Sequence, residues 1–181
     1  MGVQKTPGCM TGILCDILTY LEDHILISKS LFDLFQAHLA PGAYWRDTYN
    51  EFYFEQYLKY SDFLPLINNE RQHEKSQQYK DRFSSLNRLE LVKFQNDTTL
   101  YPIDTSHFGT INVGSTDVVP MEETEVYKND TIGLKTMFEA GKVYMREIYN
   151  RDHCQFSDLD ILEDFLPFLY EKDWAPGKIG K

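Results

Sequence analysis

Asp97 and His153 are the two residues whose types and surroundings could do chemistry together. Asp97 lies in "LVKFQNDTTLYP", residues 91–102, just after an apolar run that ends at Phe94; His153 lies in "NRDHCQF", just after the run 143–149. A carboxylate that accepts from histidine Nδ1 fixes the tautomer that leaves Nε2 free to take a proton, and it stabilises the imidazolium that results. That is the acid and base of nucleophilic catalysis. Each residue also has an ordinary reading. An Asp after an Asn at the end of an apolar run is commonly a turn residue, because its side chain can bond the backbone two residues on. Asn96-Asp97-Thr98 also fits the glycosylation acceptor pattern. A histidine beside Asp152 and ahead of a helix cap is commonly a solvated loop residue.

The elements that must position the pair can be read from periodicity. Ile13, Leu14, Ile17, Leu18, Leu21 and Ile25 fall on one helix face, and Leu31, Leu34, Phe35 and Leu39 on a second, which Pro41 and Gly42 stop. The segment 43–68 is dense in aromatics and fits no single period, while 68–89 reads as a polar helix held by Tyr79, Phe83 and Leu86. Residues 1–88 are therefore expected to be mostly helical. A strand is expected at 89–94, a helix in "LKTMFEAGK" with Gly141 as its stop, and a second strand at 143–149. Strand, helix, strand is a parallel unit. Ser157 with Asp160 three residues on is a capping-box pattern, opening a helix face of Ile161, Leu162, Phe165, Leu166 and Leu169. In this layout Asp97 and His153 each lie beyond the carboxyl end of a parallel strand, the edge where open α/β sheets place catalytic groups. Acid before base, on successive late strand ends, is the chain order of the α/β-hydrolase triad.

Composition narrows the partners. The chain has 181 residues, enough for one domain with a sizeable core. A net charge of −10 argues against nucleic acid, whose phosphates need a concentrated Lys/Arg field. No apolar run approaches the roughly 20 residues of a membrane span, and "MGVQKTPGCM" lacks the pattern of a signal peptide. The five histidines show no paired metal-ligand spacing, so neither a metal nor a cofactor is expected. Cys9 and Cys15 could close a small disulfide loop or remain reduced thiols, with Cys154 left over. Asn129-Asp130-Thr131 is a second glycosylation tripeptide.

One catalytic part is missing. The nucleophile elbow G-x-S-x-G occurs nowhere in the sequence, and the nearest serine context, "NVGSTD", reads as a loop. The expected fold class is α/β: the carboxyl-terminal part of an α/β-hydrolase, with a helical cap insertion at 1–88, the last parallel strands and terminal helix at 89–170, and a tail at 171–181. An incomplete gene model or a truncated product is the expected reason for the missing elbow.

The chain resembles the carboxyl half of the palmitoyl-protein thioesterases, soluble lysosomal enzymes that remove palmitate from cysteine. The resemblance runs in order through "GVQKTPGC", "AYWRD", "FLPLINNE", "LVKFQNDTTLYPIDTSHFG", "VPMEETEVYKNDTIGLKTMFEAGK" and "DHCQFSDLDILEDFLPFL". It implies that Asp97 and His153 are the triad acid and base, that Asn96 carries a glycan, and that Cys9 and Cys15 pair. It also implies that the helices between Cys15 and Leu66 line a palmitate groove, and that the setting is lysosomal or secreted. The implied partners are S-palmitoylated proteins or peptides and long-chain acyl thioesters. Tyr101 stands before Pro102 where relatives tend to have Asp, and the tail 171–181 has no counterpart. Two other readings stand beside this one: a non-catalytic acyl-binding fragment or pseudoenzyme derived from a thioesterase, and a cytosolic interaction module with reduced cysteines.

Overall fold

The structure is a computed structural model that describes residues 44–170. The helix faces expected within 13–39, Cys9, Cys15 and the tail 171–181 lie outside the described residues.

The aromatic segment resolves into two helices. Helix α1, Glu51–Tyr60, starts at Asn50, whose side chain accepts from the Tyr53 N–H, with Glu51 in its first turn and Lys59 in its last. Both charges suit the ends of the helix dipole. Helix α2, Leu64–Ile67, begins with a proline at its second position, and α3 follows at Ser76–Ser84. The polar helix expected at 68–89 is thus confined to its second half. The physical reason lies just before it: Asn69 is left-handed (φ 52°), and the Glu70 and Arg71 N–H groups both fold back on the Pro65 carbonyl. Leu86, expected on the buried face of that helix, lies beyond its end and is exposed.

Strands β1 (Leu89–Phe94) and β4 (Val143–Ile148) pair in parallel, with Leu89 opposite Val143 and Phe94 opposite Ile148. The second strand ends one residue earlier than its sequence suggests. Parallel strands need a long crossover, and this one carries a 3-10 turn at Ile103–His107, an antiparallel pair β2 (Thr110–Ile111) and β3 (Val118–Val119), and a 3-10 turn at Met121–Glu123. Helices α4 (Glu125–Lys128) and α5 (Leu134–Glu139) complete it. Ser115 sits in the loop between β2 and β3, beside left-handed Gly114, as its sequence context suggests.

The crossover is held by a core of Met121, Val126, Ile132 and Leu134, against which Phe83, Leu89, Phe108, Tyr127, Phe138 and Val143 pack. Fully burying a side chain such as Leu134 stabilises by roughly 1.5–3 kcal/mol. The same cluster fastens α3, α5 and both parallel strands to one another, so the strand ends are held in register by packing as well as by the ladder.

The capping box is present: the Ser157 N–H and hydroxyl both donate to Asp160 Oδ2 (2.6 and 2.7 Å), and the Asp160 N–H donates back to Ser157 Oγ at 3.2 Å. The helix it opens departs from the expected one. A π-helical stretch, Asp160–Phe165, precedes α6, Leu166–Tyr170. Phe165 and Leu166 are half-buried, but Ile161, Leu162 and Leu169 are exposed. Wider turns rotate successive side chains away from the 3.6-residue spacing, so a face written for an α-helix no longer lines up.

Candidate active site

The ladder between the parallel strands continues past their ends. The Gln95 N–H donates to the Ile148 carbonyl at 2.9 Å and the Asn96 N–H to the Arg151 carbonyl at 3.2 Å. The two loops are therefore stitched together just before the residues of interest. Asp97 is three residues beyond Phe94 and His153 five beyond Ile148, which are partners in the register. Parallel pairing puts both at one edge, the carboxyl one; an antiparallel pair would have put them at opposite ends.

The Asp97 and His153 side chains meet. His153 Nδ1 lies 2.7 Å from Asp97 Oδ2, and the Asp97 side chain is only 3% exposed while that of His153 is 37% exposed. The other carboxylate oxygen, Oδ1, accepts from the N–H groups of Thr99 (2.7 Å) and Leu100 (3.0 Å). Asp97 is thus a turn former through one oxygen and a histidine partner through the other. An ionised carboxylate only accepts, so Nδ1 donates. In the neutral ring this tautomer leaves Nε2 free of a proton, and Nε2 has no hydrogen-bond partner among the described residues. Such a nitrogen can accept a proton from a hydroxyl and return it to a leaving group.

The remaining sequence candidates take no part in the Asp97–His153 contact. Asn96 and Asn129 are both exposed, and Asn129 Nδ2 donates to Glu125 Oε2 at 3.0 Å. Cys154 is an exposed free thiol next to His153. His107 Nε2 lies 3.0 Å from the Arg146 carbonyl, and burial lowers its pKa. His73 Nδ1 accepts from the Lys75 N–H, and its ring packs edge-on to Tyr79. Among the described residues no cluster of His, Cys, Asp and Glu could hold a metal ion, and no helix is long and apolar enough to cross a membrane.

Sequence reasoning did not find the polar centre around Glu70. Its carboxylate accepts from Arg46 Nε at 2.6 Å, from the Tyr57 hydroxyl, and from Asn68 Nδ2 at 3.2 Å. Burial, then the adjacent Glu70 charge, pushes the Tyr57 hydroxyl far above its ordinary pKa. A cleft of ≈ 490 Å³ opens beside this centre, lined by Arg46, Phe54, Asn69, Glu70, Thr110 and Val126 among others, with neither Asp97 nor His153 in its wall. The Arg46–Glu70 pair in its wall is already mostly buried. Four residues scattered over 46–70 carry no periodic signal that would have marked them.

Comparison with known proteins bears on this geometry. The family described as palmitoyl protein thioesterase matches residues 1–153. Palmitoyl-protein thioesterase 1 of Caenorhabditis elegans is 34% identical over 167 residues, 91% of this chain and 53% of that protein. The lysosomal thioesterase PPT2 homolog of Drosophila melanogaster is 38% identical over 122 residues, 65% of this chain and 41% of that protein. Palmitoyl-protein thioesterase 3 of Dictyostelium discoideum is 35% identical over 121 residues, 65% of this chain and 40% of that protein. The chain spans about half the length of these curated relatives, or somewhat less. With a match that covers most of its length and ends on the histidine paired with Asp97, the chain belongs to the palmitoyl protein thioesterase family.

Proposed function

We propose that the chain is part of a serine-type thioesterase that removes thioester-linked palmitate from cysteines of lipidated proteins, with Asp97 and His153 as acid and base of its triad. The observation that carries this reading is the 2.7 Å contact between His153 Nδ1 and a carboxylate that is otherwise buried and held by two backbone N–H groups. Relatives named lysosomal thioesterases support a lysosomal setting.

In this reading residues 89–170 form the carboxyl-terminal part of an α/β-hydrolase core and 1–88 its cap. The nucleophile is a serine that is not among the 181 residues, since no G-x-S-x-G occurs in them. His153 Nε2 takes the serine proton as the hydroxyl oxygen attacks the thioester carbonyl; collapse of the tetrahedral intermediate breaks the C–S bond, and the same proton goes to the departing cysteine sulfur. Water then attacks the acyl-enzyme, giving its proton to His153, which returns it to the serine as palmitate leaves. Asp97 holds the imidazolium at each stage. For the acyl groove in the cap, Phe52 and Phe63 are exposed aromatics that suit a lipid chain, whereas Leu64, 2% exposed, belongs to the core. Each methylene buried against such residues contributes about 0.8 kcal/mol.

The test is turnover of a palmitoyl-cysteine thioester by the natural gene product, recovered with an antibody to its carboxyl end. Asp97→Asn is expected to reduce kcat by about 10³- to 10⁴-fold, because the amide favours the wrong histidine tautomer. Unchanged turnover would remove Asp97 from the triad. The missing elbow favours a second reading, a non-catalytic acyl-binding protein: saturable palmitate binding by a product with no turnover at all would replace the first reading with that one.

A further inference from the structure

His153 stands on an exposed loop whose middle no packing holds. Residues 152–156 are all exposed, and the stretch from the end of β4 onward contains two left-handed non-glycine residues, Asn150 ahead of them and Cys154 among them, each with φ 56°. Such backbone persists only when surrounding bonds over-determine it. A base must nevertheless sit within a few tenths of an ångström of its working position. Something other than burial therefore keeps the imidazole on Asp97.

The bonds that do so come from the residues two before and two after the histidine. Arg151 Nη1 donates forward to the Gln155 carbonyl at 3.0 Å and to Asp160 Oδ2 at 3.4 Å. Gln155 Oε1 accepts from the Asp152 N–H at 3.0 Å, reaching back across the loop in the opposite sense. The Gln155 N–H donates to the Asp152 carbonyl at 3.1 Å, and the Asn96 N–H anchors the Arg151 carbonyl to the Asp97 loop at 3.2 Å. Phe156, packed edge-on between Phe94 and Phe165, fixes the far end. The two side chains thus span residues 151–155 from both ends, with His153 at the centre.

We propose that Arg151 and Gln155 are positioning residues for His153, two side-chain clamps that hold the loop so that Nδ1 stays on Asp97. The proposal rests on the reading of Asp97 and His153 as the catalytic pair. Without the Gln155 amide the Asp152 N–H loses its acceptor; without the Arg151 guanidinium both the Gln155 carbonyl and Asp160 lose a donor. The left-handed turn at Cys154 can then relax, and the imidazole swings off the carboxylate for a larger share of the time.

The experiment uses the natural gene product with a palmitoyl-cysteine thioester, comparing Gln155→Ala, Gln155→Glu, Arg151→Ala and Asp97→Asn, with folding checked by circular dichroism. Gln155→Ala and Arg151→Ala are each expected to lower kcat by about 10- to 100-fold, with KM within about twofold because substrate binding is untouched. Gln155→Glu, whose carboxylate can still accept from the Asp152 N–H, should recover most of the loss. Deuterium uptake across 150–156 should rise in both alanine variants. A folded Gln155→Ala protein with wild-type kcat, beside an inactive Asp97→Asn, overturns the clamp and leaves the catalytic pair standing. Equal losses in Gln155→Ala and Gln155→Glu also overturn it. Full activity in Asp97→Asn overturns both. Should Gln155→Ala not fold, Arg151→Ala decides on the same readouts.

Discussion

At the scale of single residues, carboxylates in this chain do two jobs at once, one with each oxygen or with each partner. Asp97 turns the backbone with Oδ1 and orients a histidine with Oδ2. Asp160 caps a helix and receives Arg151. The Ser157 hydroxyl, and then the Ser157 N–H, hold the Asp160 carboxyl below its ordinary pKa. A depressed folded-state value means stability that is present above the unfolded pKa, near 3.8, and lost as pH falls through the folded one. Ser157→Ala should therefore cost about 1 kcal/mol at neutral pH through the lost cap, and the gap to wild type should narrow on acidification below the unfolded pKa. Thermal melts at a series of pH values between neutral and strongly acidic check this; a gap that stays constant would mean that the serine acts without regard to the Asp160 charge.

At the scale of elements, the crossover depends on how closely α5 can approach α3. Gly133, just ahead of Leu134, has φ 85°, and a Cβ placed on it would lie 1.8 Å from Ser84 Oγ and 3.1 Å from Ser84 Cβ. Ser84 is the last residue of α3 and donates to the Lys80 carbonyl at 2.8 Å. Gly133→Ala is expected to destabilise by more than about 1 kcal/mol, since both the left-handed backbone and the contact oppose it. Adding Ser84→Ala should recover part of that loss, because it removes the nearer atom but not the strain in φ. Denaturant unfolding of the two single variants and the double variant checks the coupling; strictly additive effects would show that the two sites do not press on each other.

At the scale of the whole molecule, the notable surface is apolar. Leu162 and Leu169 are 59% and 70% exposed, and Leu159, Ile161 and Tyr170 are exposed along the same terminal stretch. Exposed apolar residues gathered on one short segment promote association. The 181-residue chain expressed alone is expected to self-associate, and Leu162→Lys combined with Leu169→Lys should raise its monomer fraction, measured by light scattering at matched concentration. No change would show that association, if present, runs through another face. The cleft beside Glu70 is a separate feature, with no residue of the terminal stretch in its wall.

Much of the local structure was legible in the chain itself. Strand β1 begins and ends where its apolar run does, β4 differs by one residue, and the capping box lies at Ser157 and Asp160, because periodicity and capping depend on residues close in sequence. Family membership followed from motifs in order. The failures have equally local causes: Asn69 adopts a left-handed conformation that stops the helix expected through it, and the π stretch turns Ile161 and Leu162 outward. That Asp97 serves as both turn residue and histidine partner could not be read from its neighbours, since the local Asn-Asp-Thr context marks only the turn. Only the parallel register, which carries Phe94 to Ile148 and joins loops 56 residues apart, brings Oδ2 to Nδ1. The Glu70 centre is of the same kind: Arg46, Tyr57 and Asn68 converge on it through the folding of three segments, a contact that no spacing along the chain encodes.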